Sequence, residues 1–326
     1  VHPNWGLPGG VSRGIDEEQA EEIRALGNDA VEFAKFSLDL FRQIVLGNPD
    51  YIALIKNEGV IHRTYNMGMV DENSHVNFYD GQIRITAPDG SEFERYDAQD
   101  YRQHVAEHVE PWSYLKFPYL KRVGWKGFED GMDSGLYKAT PLARLNAAEG
   151  MATLLANSEY ERMYETLGGK PVHHTLATHW ARLVELLYAA ERMQELSQDP
   201  EITDPNMRVV VTNTPDEGIG CVEAPRGTLT HHYQTDEKGI LTGVNLIVGT
   251  TNNYAPIAMS VKKAAQALIS NGTVISDGLL NRIEMAFRNY DPCMSCATHS
   301  LPGQMPLEVT IRDSDGEVVE NLSQFT

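Results

Sequence analysis

From Asp16 to about Leu46, the apolar positions Ile23, Leu26, Val31, Phe33, Phe36, Leu38 and Leu40 recur among acids, amides and alanines. That spacing predicts a long amphipathic helix. Asp16, Glu17 and Glu18 in its first turn suit the positive end of a helix dipole, and Gly47-Asn48-Pro49 stops it. The period changes between His75 and Tyr96, where Val76, Phe78, Ile83, Ile85, Phe93 and Tyr96 alternate with polar residues. Asp80-Gly81 and Asp89-Gly90 then mark hairpin turns. A short helix is expected from Asp100 to Glu110, ended by Pro111. Two further helical stretches, Pro141 to Leu167 and Pro171 to Leu196, are rich in Ala, Leu, Glu and Met and are separated by Gly168-Gly169. Short strands are expected at Arg208 to Thr212, Gly220 to Glu223, Leu229 to Gln234 and Leu241 to Val248. Helices return at Met259 to Leu268 and Leu279 to Tyr290. A terminal strand at Leu307 to Ile311 meets an Asp315-Gly316 turn. No repeat and no low-complexity linker interrupts the chain. The pattern is that of a helix-rich α+β fold with inserted β-hairpins.

The chain has 326 residues, of which 46 are acidic and 27 basic, a formal net charge of −19. A field of that sign repels phosphate backbones, which argues against a nucleic-acid partner. No apolar run approaches the roughly 20 residues of a membrane span. Three cysteines cannot build a disulfide framework. The chain opens at Val1 with Pro3, Pro8, Gly9 and Gly10, a loop-like start without the basic and apolar regions of a signal peptide. That start reads as the middle of a longer sequence.

The strongest local chemistry lies in Asp291-Pro292-Cys293-Met294-Ser295-Cys296-Ala297-Thr298-His299. Two thiols at i and i+3 converge on one side of a turn, and a histidine three residues later reaches a neighbouring ion. Thiolates and imidazole suit zinc, nickel and iron. One C-x-x-C supplies two of the four ligands such metals usually take, and a purely redox pair is the alternative. A second pattern, His104-Val105-Ala106-Glu107-His108, matches the H-x-x-E-H of inverted zinc peptidases if both histidines share a helix face. The competing reading is an ordinary helix end cut off by Pro111. A third, Gly220-Cys221-Val222-Glu223-Ala224-Pro225-Arg226-Gly227, holds an arginine on a stiffened turn. There its planar fork can meet an anion or a structural carboxylate. Of the adjacent His231 and His232, strand geometry allows at most one to be buried with Arg226. His173, His174 and His179 read as packing or surface residues. Thr250-Thr251-Asn252-Asn253 follows a strand and either completes a site or closes a turn. Walker, Rossmann and nucleophile-elbow motifs are absent.

In combination, D-P-C-x-x-C-x-x-H (Asp291 to His299) and E-A-P-R-G (Glu223 to Gly227) resemble the large, catalytic subunit of nickel–iron hydrogenases. His2-Pro3 with Pro8-Gly9-Gly10, Pro141-Leu142-Ala143-Arg144 and His179-Trp180-Ala181-Arg182 support the likeness, which runs over essentially the whole chain. The segment Glu107-His108-Val109-Glu110-Pro111-Trp112-Ser113-Tyr114 is similar to the cytoplasmic branch, as is Asn245-Leu246-Ile247-Val248 with Asn252-Asn253. That branch holds the F420-non-reducing (viologen-reducing) and NAD(P)-linked or sulfhydrogenase enzymes. The peptidase pattern falls inside this likeness and loses weight.

The resemblance implies a helical core with inserted hairpins and a nickel–iron centre whose iron carries CO and cyanide. Cys293 would be a terminal thiolate on nickel and Cys296 would bridge the two metals. His299 would bind magnesium or a similar ion, joined by the carbonyl of Leu246. Arg226 would sit over the open metal face, and Pro225, Gly249 and Thr250 would line the diatomic ligands; many relatives carry Pro at the Gly249 position. Dihydrogen is a very weak acid, so its heterolysis needs a metal that accepts the electron pair beside a base that accepts the proton. A terminal thiolate and a desolvated arginine suit that task. The family draws its other two metal cysteines, and a proton-transferring Glu, from an N-terminal segment that is not in this sequence, so these residues alone would be inactive. The implied partners are an iron–sulfur small subunit, electron-acceptor subunits, nickel-insertion chaperones and a maturation endopeptidase, with H2 as substrate. The endopeptidase would cut at His299-Ser300, giving residues 1–299 as part of the large-subunit domain and 300–326 as a removed extension. A metal-free relative from a quinone-reductase-type complex and a zinc-binding module are the competing readings.

Overall fold

The computed structural model describes residues 6–57, 61–270, 273–298 and 308–323. The chain divides into two compact units, Val1–Pro292 and Cys293–Thr326.

In the larger unit several helices pack around an apolar core. Its first helix, Glu17–Phe41, starts where expected: Asp16 accepts from the Gln19 N–H at 2.9 Å, and the Gln19 amide oxygen accepts from the Asp16 N–H in return. This capping box satisfies two of the helix's orphan donors. The helix runs on as a π turn over Arg42–Leu46, and a short helix, Pro49–Ile55, follows with Asn48 as its cap. Val31, Ala34 and Leu38 face the core, where they join Trp180, Ala181, Val184 and Leu187 of the Thr178–Leu196 helix. Tyr160, Met163 and Tyr164 of the Leu154–Leu167 helix complete this layer. Of the other apolar residues of the first run, Ile23 is half-buried, whereas Leu26, Phe33, Phe36 and Leu40 are exposed.

The stretch expected as one helix from Pro141 to Leu167 is broken. Thr140 caps a helix over Pro141–Ala147, the chain then extends, and Gly150–Met151 pairs in parallel with His75–Val76. Helix resumes at Leu154 because a distant carboxylate caps it: Glu191 accepts from the Thr153 hydroxyl and from the N–H groups of Leu155 and Ala156. A negative group at a helix N-terminus is stabilising, and here it comes from a neighbouring helix. Similarly, only Thr178–Leu196 of the second stretch is α-helical, after a 3-10 turn at Thr175–Ala177.

Against this layer lies a sheet with Tyr65–Val70 at its centre. Gln82–Thr86 pairs antiparallel with it, Glu92–Tyr96 pairs antiparallel with Gln82–Thr86 through the expected turn at Asp89-Gly90, and Tyr137–Lys138 runs parallel to Tyr65 and Asn66. The hairpin expected at Asp80-Gly81 does not form, because the short strand His75–Val76 before it pairs with Val70 and not with Gln82–Thr86. Two further expectations fail. Residues 100–110 form one helical turn, Tyr101–His104, and then a strand, Val105–Val109, paired antiparallel with Lys116–Leu120. Pairing with the later strand outweighs the helical spacing, and β-branched Val105 and Val109 favour it. Arg208 makes only an isolated bridge to Gly10, and Val209 and Val210 are exposed rather than in a strand. The other three expected strands are present as an antiparallel sheet, Glu217–Ala224, Gly227–Thr235 and Leu241–Ile247. Tyr254–Leu268 and Asp277–Arg288 form a helical pair packed on Ala264, Leu279 and Ile283. Among the described residues, no helix is long and apolar enough to cross a membrane.

The smaller unit holds a helical turn, Met294–Thr298, and a hairpin of Glu308–Arg312 and Val318–Ser323. Asp313 fixes the hairpin turn by accepting from the N–H groups of Asp315 and Glu317.

Candidate functional site

Ala224 pairs with Gly227, so Pro225 and Arg226 are the two loop residues of a tight hairpin. Gly227 is required there. Its φ is +153°, and a Cβ would lie 2.5 Å from the carbonyl oxygen of Gly249. Gly249 faces it from the other side, where a Cβ would meet the Gly227 nitrogen at 3.1 Å. This backbone-to-backbone approach seats Gly249 and the buried Thr250 against the Arg226 loop. Asn253 locks the arrangement. Its side chain donates to the Arg226 carbonyl at 2.8 Å and accepts from the Ala139 N–H at 2.9 Å. Asn252 does the same one residue earlier, donating to the Thr228 carbonyl and accepting from the Tyr137 hydroxyl. The run from Thr250 to Asn253 therefore stitches three segments together, which spacing alone left open.

The Arg226 side chain is 37% exposed and reaches Asp291, with Nε 3.0 Å from Oδ2 and also donating to the Asp291 carbonyl. Asp291 has a φ of +51°, an uncommon conformation for a residue with a side chain. Arg182 donates to the carbonyl of Asn289 at 3.0 Å. Two arginines thus hold the segment that leads covalently into Cys293.

Beneath the loop is a buried ion cluster. Arg144 and the carboxyl of Glu223 are almost completely buried, and Glu185 is nearly so. Arg144 takes Glu185 through Nε at 2.6 Å and Nη2 at 2.5 Å, and Glu223 through Nη1 at 2.9 Å. Burial alone would lower the Arg144 pKa, but Glu185 and Glu223 more than offset it and hold it above its ordinary value. Burial pushes the Glu223 carboxyl up against the pull of Arg144. A 280 Å³ cavity with mostly apolar walls opens beside this cluster, lined in part by Arg144, Arg182, Glu185, Ala224 and Pro225. Sequence reasoning noted Arg144 only as a family likeness. Its partners lie 41 and 79 residues away in the chain.

In the smaller unit, Cys293 and Cys296 are bonded to each other, with Cα atoms 5.3 Å apart. The expected convergence of the two sulfurs is therefore present. As reduced thiols they form a soft two-sulfur chelate, a donor set that fits one half of a thiolate-held nickel or zinc site. Among the described residues no group of three or more His, Cys, Asp or Glu side chains is arranged to hold a metal. His299, His2 and Pro3 lie outside the described residues, as does the expected scissile bond to Ser300. Leu246 is half-buried on the strand Leu241–Ile247, opposite His231.

Other candidates resolve into structure. His104 binds Glu94 and stacks on Tyr96, whereas His108 binds Glu110 and stacks on Trp125. They sit on different elements, so no helix presents both to one metal. His232 is the buried member of its pair, but its partners are Tyr101, Arg102 and Glu217 rather than Arg226. Burial pushes the Cys221 thiol up to about 12, and it contacts Thr230. His62, Ser260 and Tyr290 form a buried hydrogen-bonded chain, with the Lys138 ammonium donating to the His62 carbonyl at 2.7 Å.

A family model described as nickel-dependent hydrogenase matches residues 40–299. The iron-sulfur subunit of an F420-non-reducing hydrogenase from Archaeoglobus profundus is 47% identical over 326 residues, covering 100% of this chain and 67% of its own length. The beta subunit of the NAD-reducing hydrogenase HoxS from Cupriavidus necator is 40% identical, covering 98% of this chain and 65% of its own. The chain thus spans about two thirds of the length of these curated relatives. A crystal structure of an NAD+-reducing [NiFe]-hydrogenase in the H2-reduced state superposes with a TM-score of 0.81 at 33% identity, covering 92% of this chain and 64% of that one. The [NiFeSe]-hydrogenase of Dm. baculatum, at 19% identity and a TM-score of 0.63, shares the fold. These structures bear out the expected helix-rich α+β architecture.

Proposed function

Because the chain belongs to the nickel-dependent hydrogenase family, we propose that it is the catalytic part of a nickel–iron hydrogenase. In this reading it oxidises H2 or reduces protons in the cytoplasm. It exchanges electrons with further acceptor subunits through an iron–sulfur small subunit. The observation that carries the reading is the juxtaposed sulfur pair of Cys293 and Cys296, which begins two residues beyond an aspartate to which Arg226 is bound.

Cys293 and Cys296 would hold the nickel–iron pair, whose iron carries CO and cyanide, and His299 with the Leu246 carbonyl would hold a magnesium or similar ion. When bound, the metal pair supplies an acceptor for the electrons of H2. The chain's own residues supply the rest. Cys293 is a base that can take and release the proton at sulfur. Arg226 presents a fixed cationic fork from a loop with Asn253, Gly249 and Asp291 at its edges. Pro225 in that loop, with Gly249 and the buried Thr250 seated against it, would line the diatomic ligands. Residues 1–299 would belong to the large-subunit domain, and residues 300–326 would be removed by the maturation endopeptidase after chaperones insert nickel. The exposed hairpin that follows His299 in the sequence suits a piece held apart until then.

The test is H2-dependent dye reduction by the full-length protein with its partner subunits. Arg226→Lys keeps the charge but loses the planar fork. It should lower turnover by about 10²–10³ with metal content intact. Near-normal turnover in that variant would return Arg226 to a structural pairing with Asp291. Zinc in place of nickel and iron would favour a binding module, and a metal-free, H2-inert parent would favour the quinone-reductase-type relative.

A further inference from the structure

We infer that Arg144, buried beneath the hairpin loop, is the positioning residue that sets where Arg226 points; the inference rests on the proposed role of Arg226. A guanidinium has five N–H donors, and all five of Arg144 have an acceptor. Nε and one Nη2 donor go to Glu185, and the second Nη2 donor faces the Pro225 carbonyl at 3.5 Å. The Nη1 donors go to Glu223 at 2.9 Å and to the Ala224 carbonyl at 2.6 Å. Together with Asn253 on the Arg226 carbonyl, three consecutive carbonyls of the loop are each held by a side chain. Arg144 holds two of them.

Arg144 is itself immobilised. Glu185 grips its fork from the Thr178–Leu196 helix, and the Tyr65–Val70 strand crosses so close that a Cβ on Gly68 would lie 2.8 Å from the Arg144 Cα. Glu223 is braced on its far side by the Met69 N–H at 2.7 Å and the Thr228 hydroxyl at 3.0 Å. The chain of contact is continuous: strand and helix fix Arg144, Arg144 fixes the carbonyls of residues 224 and 225, and those carbonyls fix the peptide plane from which Arg226 departs. Lysine has three donors in a different geometry and cannot satisfy two carboxylates and two carbonyls at once.

A positioning role and a merely structural one differ in coupling. If Arg144 acts through Arg226, its loss has no further effect once Arg226 is disabled; if it only stabilises the fold, the two losses multiply. The experiment measures kcat and KM for H2, normalised to nickel, in full-length Arg144→Lys, Arg226→Lys and the double variant. Arg144→Lys should lower kcat about tenfold, with KM within about twofold of the parent, and the double variant should match Arg226→Lys alone. Normal kcat in Arg144→Lys while Arg226→Lys is crippled would overturn this inference and leave the role of Arg226 standing, as would multiplying penalties. Normal kcat in Arg226→Lys would remove the underlying reading instead. Should Arg144→Lys fail to fold, Thr228→Val unbraces Glu223 more gently. A kcat loss that disappears in the Arg226→Lys background supports the inference, and an unchanged kcat or a loss that persists there overturns it.

Discussion

Six residues apart on one segment, Lys138 and Arg144 are both buried cations, and they have opposite fates. Arg144 is 1% exposed and meets two carboxylates and two loop carbonyls. Lys138 is 4% exposed and has the His62 carbonyl at 2.7 Å, with no carboxylate among the described residues paired to it. Burial pushes Lys138 down to about 7 against the opposing pull of Asp130, and Lys263 adds a smaller push downward. Arg144 stays above its ordinary value because its carboxylates outweigh the same desolvation. Depth does not decide whether a buried base carries charge; the partners do. Arg144 can therefore serve as a permanent anchor under the functional loop, whereas Lys138 is a group whose charge the fold resists.

The strongest way to break this contrast is to remove the anchor outright. Arg144→Met strands Glu185 and Glu223 as unpaired buried acids and should cost about 3–5 kcal/mol, read as a large drop in denaturation midpoint. A loss below about 1 kcal/mol would mean that the cluster is not a buried charge network at all. Lys138→Met should act less strongly and in the opposite direction. The folded-state pKa of Lys138, about 7, lies below its ordinary 10.5, so between those values the unfolded chain binds more protons. Stability from this group therefore rises with pH across that window and is at its poorest below pH 7. The variant should be stabilised at and below neutral pH, and its melting temperature should lose that part of its rise between pH 7 and 10. An unchanged pH profile would show that Lys138 has a partner that keeps it charged.

Much of the site was legible because its signals are local. The helix start at Asp16 with its acidic first turn, the stiffened turn of Pro225-Arg226-Gly227 and the convergence of Cys293 with Cys296 all depend on residues within four positions of one another. What failed depends on distant partners. Glu191 restarts the helix at Leu154 from across the core, and nothing near residue 150 signals it. The strand Val105–Val109 exists because Lys116–Leu120 pairs with it, so a helical spacing of His104 and His108 misled. The Arg144 cluster joins residues from three parts of the chain, and its five satisfied donors leave no trace in any short motif.

The central claim is that Cys293 and Cys296 hold a nickel–iron pair, and metal content tests it most directly. Nickel, iron and zinc would be counted per chain in the full-length protein matured in a competent host, alongside Cys296→Ser. Nickel and iron should be present in the parent and the pair lost in the variant, since removing one of two adjacent thiolates destroys the chelate. Zinc alone in the parent, or nickel and iron retained at parental levels in Cys296→Ser, would contradict it.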